Sequence, residues 1–271
     1  MRNKLAFIIV CFLSAGCVNV DKEVDKKAWL EEYGDQLMNY NYSKTQIEAE
    51  IEERWASLGY AAKPDKYIAL SYDDGPCAGT AAMLKVLDDF GVKATFFVIG
   101  QNVRGQKAAA KSIYDAGHEL ANHSDDHGYL GNNGKLSVEK TAANLDAVSQ
   151  AIKDITGNFP VLFRAPFLDH GANLTQVCTM RGMSLIDGVG YEDWESKFDA
   201  AAIAAKVLAN PVDGGIMILH ESNTSGGRTL AAMPEIIKGL REKGFWIMTV
   251  GQLAAVKGVT LTAGTRYNLI R

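Results

Sequence analysis

Seven short β-prone apolar runs, at residues 67–70, 93–99, 119–122, 161–163, 184–189, 215–220 and 246–250, recur along this chain with helical stretches such as 137–155 and 200–208 between them. Strands separated by helix-length connections pair in parallel, so the alternation predicts an α/β fold built as a distorted (β/α)7-type barrel. At 271 residues, 47% hydrophobic and 22% charged, the chain can bury one sizeable core. Its net charge of -4 gives no basic footprint, so no nucleic-acid partner is expected.

The run at 67–70 leads into Ser71-Tyr72-Asp73-Asp74-Gly75-Pro76, which places two aspartates at a strand's C-terminal end before a turn. In α/β folds ligands and catalytic groups gather at that edge. Adjacent carboxylates repel unless a positive group intervenes, and a divalent cation on one, with the other left as a base, resolves the conflict. His123 and His127 lie four residues apart, able to share an ion from one helix face or from a compact loop. Asp74 with these two imidazoles makes a three-ligand set that leaves room for water, as catalytic metal sites do. Taken singly, Asp-Asp-Gly-Pro is an ordinary turn and His-x-x-x-His is incidental. Their joint occurrence, each after an apolar run, favours chemistry.

These stretches resemble the polysaccharide deacetylase family, the NodB-homology or carbohydrate esterase family 4 enzymes. The first is similar to Thr-Phe-Asp-Asp-Gly-Pro and implies Asp73 as general base and Asp74 as metal ligand. The second is similar to His-Ser/Thr-x-x-His and implies His123 and His127 as the other ligands. Arg164-Ala165-Pro166-Phe167 resembles the third motif, implying that Arg164 holds the base and that the Phe167 N–H binds the oxyanion. Ile218-Leu219-His220 resembles the Leu-x-His motif, implying His220 as general acid and Leu219 as a wall of the acetyl pocket. The fourth motif, Asp-x-x-Asp-Trp, is matched by Gly190-Tyr191-Glu192-Asp193-Trp194, with glycine at its first position. It implies Asp193 as the group that tunes His220 and Trp194 as a pocket wall, against the plainer reading of Trp194 as core. The resemblance covers residues 65–255 and implies the same barrel.

The ends lie outside it. Met1-Arg2-Asn3-Lys4 is basic, residues 5–13 are apolar, and Ser14-Ala15-Gly16 precedes Cys17, the pattern of a bacterial export signal. Residues 13–17 also resemble a lipobox, implying lipidation at Cys17, a membrane-anchored cell-envelope location, and simple cleavage and secretion as the alternative. Residues 18–64 read as a helical extension: Ser43 opens a capped segment in which Ile47, Ile51, Trp55 and Leu58 recur at helical spacing, either docking on the barrel or spacing it from the anchor. Trp29, Tyr33, Tyr40 and Tyr42 form an aromatic cluster there, read as packing before sugar binding. Residues 256–271 read as a tail with a short strand at 259–262. An export route permits Cys77 and Cys178 to pair, but spacing leaves this open and a nucleophilic Cys77 ranks low.

The expected function is therefore an exported hydrolase removing N-acetyl groups from the amino sugars of peptidoglycan or a chitin-like polymer. Its expected cofactor is a divalent metal, zinc first, with cobalt or another divalent ion as alternatives. The polysaccharide is the expected partner. Two other readings stand beside it: an O-acetyl esterase on acetylated xylan, and a catalytically silent carbohydrate-binding lipoprotein suggested by Gly190.

Overall fold

The structure, a computed structural model, describes residues 31–32, 34–38, 42–60 and 63–271. The export signal, Cys17, Trp29, Tyr33 and Tyr40 lie outside the described residues. No helix among the described residues is long and apolar enough to cross a membrane.

Helix α1 (Lys44–Ser57) starts where the Ser43 hydroxyl accepts the Gln46 N–H. The chain then alternates through β1 (Lys66–Gly75), α2 (Thr80–Asp89), β2 (Thr95–Val98), α3 (Gly100–Gly105), α4 (Lys107–Asp115), β3 (Glu119–Asn122) and α5 (Val138–Thr156). It continues with β4 (Leu162–Phe163), α6 (Ala172–Met180), β5 (Ser184–Ile186), β6 (Val189–Gly190), α7 (Ala200–Ala209) and β7 (Gly215–His220). The last elements are α8 (Ser222–Ser225), α9 (Arg228–Glu242), β8 (Phe245–Met248), α10 (Val250–Lys257) and β9 (Arg266–Tyr267).

All named strand pairs are parallel, in the order β6-β7-β1-β2-β3-β4-β5-β9, with β8 also on β1. The run at 184–189 is thus two strands, near opposite ends of the sheet. Only Asp187 and Gly188 join them, so Ile186 and Val189 are about 10 Å apart at most and the sheet must curl until its ends almost meet. Gly188 makes that crossing because a Cβ there would collide with the Ile216 carbonyl oxygen. Along this seam the ends of the sheet are brought together by chain continuity and by a single antiparallel bridge between Gly215 and Leu269.

A second irregularity sits on β1. Its residues 66–69 pair with β8 and its residues 71–75 with β2, so two strands share one edge. The buried carboxylate of Glu119 bridges the junction, accepting the Thr95 hydroxyl at 2.6 Å, the Thr249 hydroxyl at 2.6 Å and the Gly251 N–H at 3.1 Å. Burial raises its pKa against these three donors and a fourth, Tyr42.

Side-chain alternation along β1 and β7 divides the core. Leu70, Tyr72, Met217 and Leu219 face the surrounding helices with Met83, Ile203 and Ile236, whereas Ala69 and Ile216 join Phe97, Ala121 and Leu253 in the inner layer. Ile47, Ile51 and Trp55 of α1 belong to that inner cluster, so the extension docks on the barrel. Leu58 does not follow them; it lies just past the helix end and is exposed. Tyr42 packs on the same cluster, in keeping with packing rather than sugar binding.

The C-terminal tail is part of the barrel. Residues 259–262 form no strand; instead β9 pairs with β5, and buried Ile270 returns its N–H to Gly214 O at 2.8 Å. The expectation failed because Thr262 and Thr260 are tied by the Tyr267 hydroxyl, which leaves that segment looped.

Candidate active site

Two adjacent residues in a regular strand point to opposite faces, yet Asp73 and Asp74 must reach one place. A register break between Asp73 and Gly75 in the β1–β2 ladder solves this, with Asp74 in the left-handed region at φ 72°. Asp73 and Asp74 thereby both border His123: its Nε2 lies 3.8 Å from Asp73 Oδ2 and 3.5 Å from Asp74 Oδ1.

His123 and His127 converge from a compact loop, not a helix. Ser124 and His127 adopt positive φ of 69° and 58°, a sparsely populated geometry for non-glycine residues that must be imposed by surrounding bonds. Asn122 Oδ1 accepts the Ser124 N–H at 2.9 Å, Ser124 Oγ accepts the His127 N–H at 2.9 Å, and Arg104 grips Asp125 with both guanidinium nitrogens at 2.6 and 2.9 Å.

The ligand atoms of Asp74, His123 and His127 all lie within 4.8 Å of one another. Asp74 Oδ1 is 3.2 Å from His127 Nε2 and 3.5 Å from His123 Nε2. Donors placed tetrahedrally around zinc sit about 3.4 Å apart, so this set fits such an ion. Two more features agree. Asp74 Oδ1 is buried with no hydrogen-bond partner, while Oδ2 accepts the Thr224 hydroxyl at 2.7 Å. His123 Nδ1 faces the Arg164 carbonyl oxygen at 2.8 Å, which fixes the proton on Nδ1 and bares Nε2 as a ligand. Although burial pushes the Asp74 pKa up, the two neighbouring imidazoles and the Thr224 hydroxyl outweigh it and hold the carboxyl far below the carboxylate range.

Arg164 is fully buried. It donates from Nη1 to Asp73 Oδ1 at 2.6 Å and to Ser71 Oγ at 2.8 Å, from Nε to Ile186 O at 2.9 Å and from Nη2 to Asp187 O at 3.2 Å. One side chain therefore fixes the Asp73 carboxylate and satisfies two carbonyls at the seam.

On the other flank, His220 stands directly across from Asp73 in the β1–β7 register. Its Nδ1 pairs with Asp193 Oδ1 at 2.7 Å, while Asp193 Oδ2 accepts the His220 N–H at 2.8 Å and the Thr229 hydroxyl at 2.5 Å. Burial pulls the imidazole pKa down, but the Asp193 bond and the fields of Asp193, Asp73 and Asp74 outweigh it, and the net shift is upward. Trp194 is 44% exposed with its ring edge-on to His220 at 5.1 Å, so it borders the site and is not core. Gly190 is not demanded by the backbone: a Cβ there would touch only the Trp194 ring, at 3.6 Å.

Phe167 also borders the cluster, its backbone left-handed at φ 56° and its ring 4.7 Å from His127. Leu219 does not line the site. It is fully buried against the helices, and period-two alternation puts Ile218 in the other layer, on the His220 side. Cys77 and Cys178 form no disulfide with each other; Cys178 is buried in an apolar cluster, and the Cys77 thiol lies 3.4 Å from Glu221 Oε2.

The family description Polysaccharide deacetylase matches residues 60–186. The solved family 4 acetyl xylan esterase of Clostridium thermocellum, in complex with a cobalt ion, superposes with a TM-score of 0.71 at 30% identity, over 76% of this chain and 99% of that one. The chain belongs to the polysaccharide deacetylase family, carbohydrate esterase family 4. Among curated family members, the bifunctional xylanase/deacetylase of Pseudobutyrivibrio xylanivorans is 34% identical over 74% of this chain and 32% of its own length. The peptidoglycan-N-acetylglucosamine deacetylase PgdA of Listeria monocytogenes is 33% identical over 76% of this chain and 42% of its own length. This chain thus spans less than half the length of either of those two family members.

Some functional contacts were invisible to motif reading. Ser71, Thr224 and Thr229 support Arg164, Asp74 and Asp193, yet a lone Ser or Thr carries no sequence signal. Glu221 follows His220, is buried, accepts the Thr80 hydroxyl at 2.5 Å, and has its pKa pushed up by burial.

Proposed function

We propose that this chain hydrolyses N-acetyl groups on the amino sugars of a polysaccharide, peptidoglycan or a chitin-like polymer. The observation that carries the reading is the pair of differently equipped groups flanking Asp74, His123 and His127: an aspartate fixed by an arginine and an imidazole fixed by an aspartate. A divalent cation held by those three residues, zinc first given two imidazoles and a carboxylate, would supply Lewis acidity that lowers the pKa of water and polarises the acetyl carbonyl.

The protein's own groups then divide the work. Asp73, oriented by Arg164, takes the proton of the attacking water. The Phe167 N–H stabilises charge developing on the carbonyl oxygen. His220 uses Nδ1 for Asp193, so Nε2 is the nitrogen that delivers a proton to the leaving amine. An amide nitrogen departs poorly as an anion, which is why an acid with a raised pKa matters. Trp194 and Ile218 bound the space beside His220.

The test is acetate release from metal-replete full-length protein on acetylated glucosamine polymers, with mass spectrometry locating the lost acetyl groups. No release from any such polymer would overturn the reading. A second reading, O-deacetylation of acetylated xylan, is supported by the names of the Clostridium and Pseudobutyrivibrio proteins. Parallel assays on acetylated xylan separate the two. Export and anchoring through Cys17 rest on residues 1–17; Cys17→Ala is expected to move the protein from the membrane fraction to the soluble one.

A further inference from the structure

Tyr129 and Phe167 are large, aromatic and exposed, at 47% and 58%, and they stack on each other with centroids 4.3 Å apart at 25°. Neither ring belongs to a core cluster. Phe167 meets His127 edge-on at 4.7 Å, so the pair begins at the proposed ligand set and extends outward from it.

The loops that carry the two rings are stapled together. Asp169, itself buried, accepts the Gly131 N–H at 2.8 Å, the Asn133 N–H at 3.2 Å and the Asn133 side-chain amide at 3.0 Å. Asn132 N–H donates to His170 O at 3.1 Å, and Gly131 lies so close to the 169–170 backbone that a Cβ would collide with it. The aromatic pair is held rigid while facing solvent. A fixed, exposed aromatic face loses little entropy on binding, the economy expected of a recognition surface rather than of packing.

We propose that the Tyr129–Phe167 pair is a stacking platform for a pyranose ring of the polysaccharide, a subsite beside the sugar being deacetylated. One face of a pyranose presents C–H groups of slight positive charge, which suit the negative face of an aromatic ring, while its rim of hydroxyls stays in water. The proposal rests on the substrate class named under Proposed function.

Binding is measured by isothermal titration in an Asp73→Asn background, which prevents turnover, using an N-acetylglucosamine pentamer and an acetylated xylose pentamer as probes. Tyr129→Ala is expected to weaken the better-bound pentamer about tenfold, Tyr129→Phe less than twofold, and N-acetylglucosamine monomer binding far less than pentamer binding. Thermal melting establishes that both variants fold. Equal pentamer affinity for Tyr129→Ala, a uniform loss on monomer and pentamer, or no binding of either pentamer would overturn the platform. A tenfold loss with no acetate release by the wild-type protein would leave the platform standing and defeat the proposed chemistry instead.

Discussion

The two flanks of the Asp74–His123–His127 cluster solve opposite problems with opposite means. Asp73 is buried and carries a charge that burial disfavours; a fully buried, permanently ionised arginine holds it with a 2.6 Å bond. His220, the proposed acid, has a carboxylate as its partner, itself anchored by the Thr229 hydroxyl and the His220 N–H. The first flank is held in place by a buried guanidinium, while on the second the Asp193 carboxylate raises the His220 pKa. The lesson is that two groups opposite each other in one pair of strands are given partners of opposite charge, a cation for the proposed base and a carboxylate for the proposed acid.

Breaking the locked flank has the largest expected effect. Asp73→Asn removes the proton acceptor and is expected to lower kcat by about 10³-fold or more, with melting temperature reporting that the fold survives. Arg164→Met should go further in stability terms. Loss of a buried cation strands Asp73 and two seam carbonyls, and about 3 to 5 kcal/mol of unfolding free energy should disappear in denaturant titration.

His220→Ala tests the tuned flank, with an expected loss of about 10²-fold on an N-acetyl substrate and a smaller loss on an O-acetyl ester, whose alkoxide leaves more readily. Equal losses on both bonds would break the distinction. Asp193→Asn sharpens it through pH. The folded His220 pKa lies above its ordinary 6.5, so the acid stays protonated past that pH and the descending limb of kcat/KM falls above it. The pairing likewise stabilises the fold fully below 6.5 and is lost as pH rises through the raised value. Without the Asp193 charge the largest upward cause is gone and the limb should move to lower pH. The smallest effect is expected from Thr229→Val: about a threefold to tenfold fall in kcat with a displaced pH profile, restored by Thr229→Ser.

Chemistry-bearing residues were legible in the sequence where their neighbours along the chain announce them. Asp73, Asp74, His123, His127, Arg164 and His220 each follow a β-prone run, and the sheet brings all six to its C-terminal edge. What resisted reading were contacts made across the fold. Thr229 lies 36 residues from Asp193 and Thr224 lies 150 from Asp74, and single hydroxyls have no spacing rule. The seam was hidden for another reason. Residues 184–189 read as one run although Asp187-Gly188 interrupts it with a turn dipeptide, and glycine is required there because a side chain at 188 would strike the Ile216 carbonyl. Leu219 misled because a buried strand is apolar on both faces, so composition does not say which face looks at the site. Gly190, the motif's one departure, leaves the Asp193–His220 bond intact.

Arg164 takes hydrogen-bond acceptors from β1, from the last residue of β5 and from the seam beyond it, while its carbonyl orients His123. The proposed base and the seam therefore hang on one side chain: the guanidinium that orients the Asp73 carboxylate also ties β1 to the end of β5, so any change at Arg164 is expected to register in site geometry and in stability together.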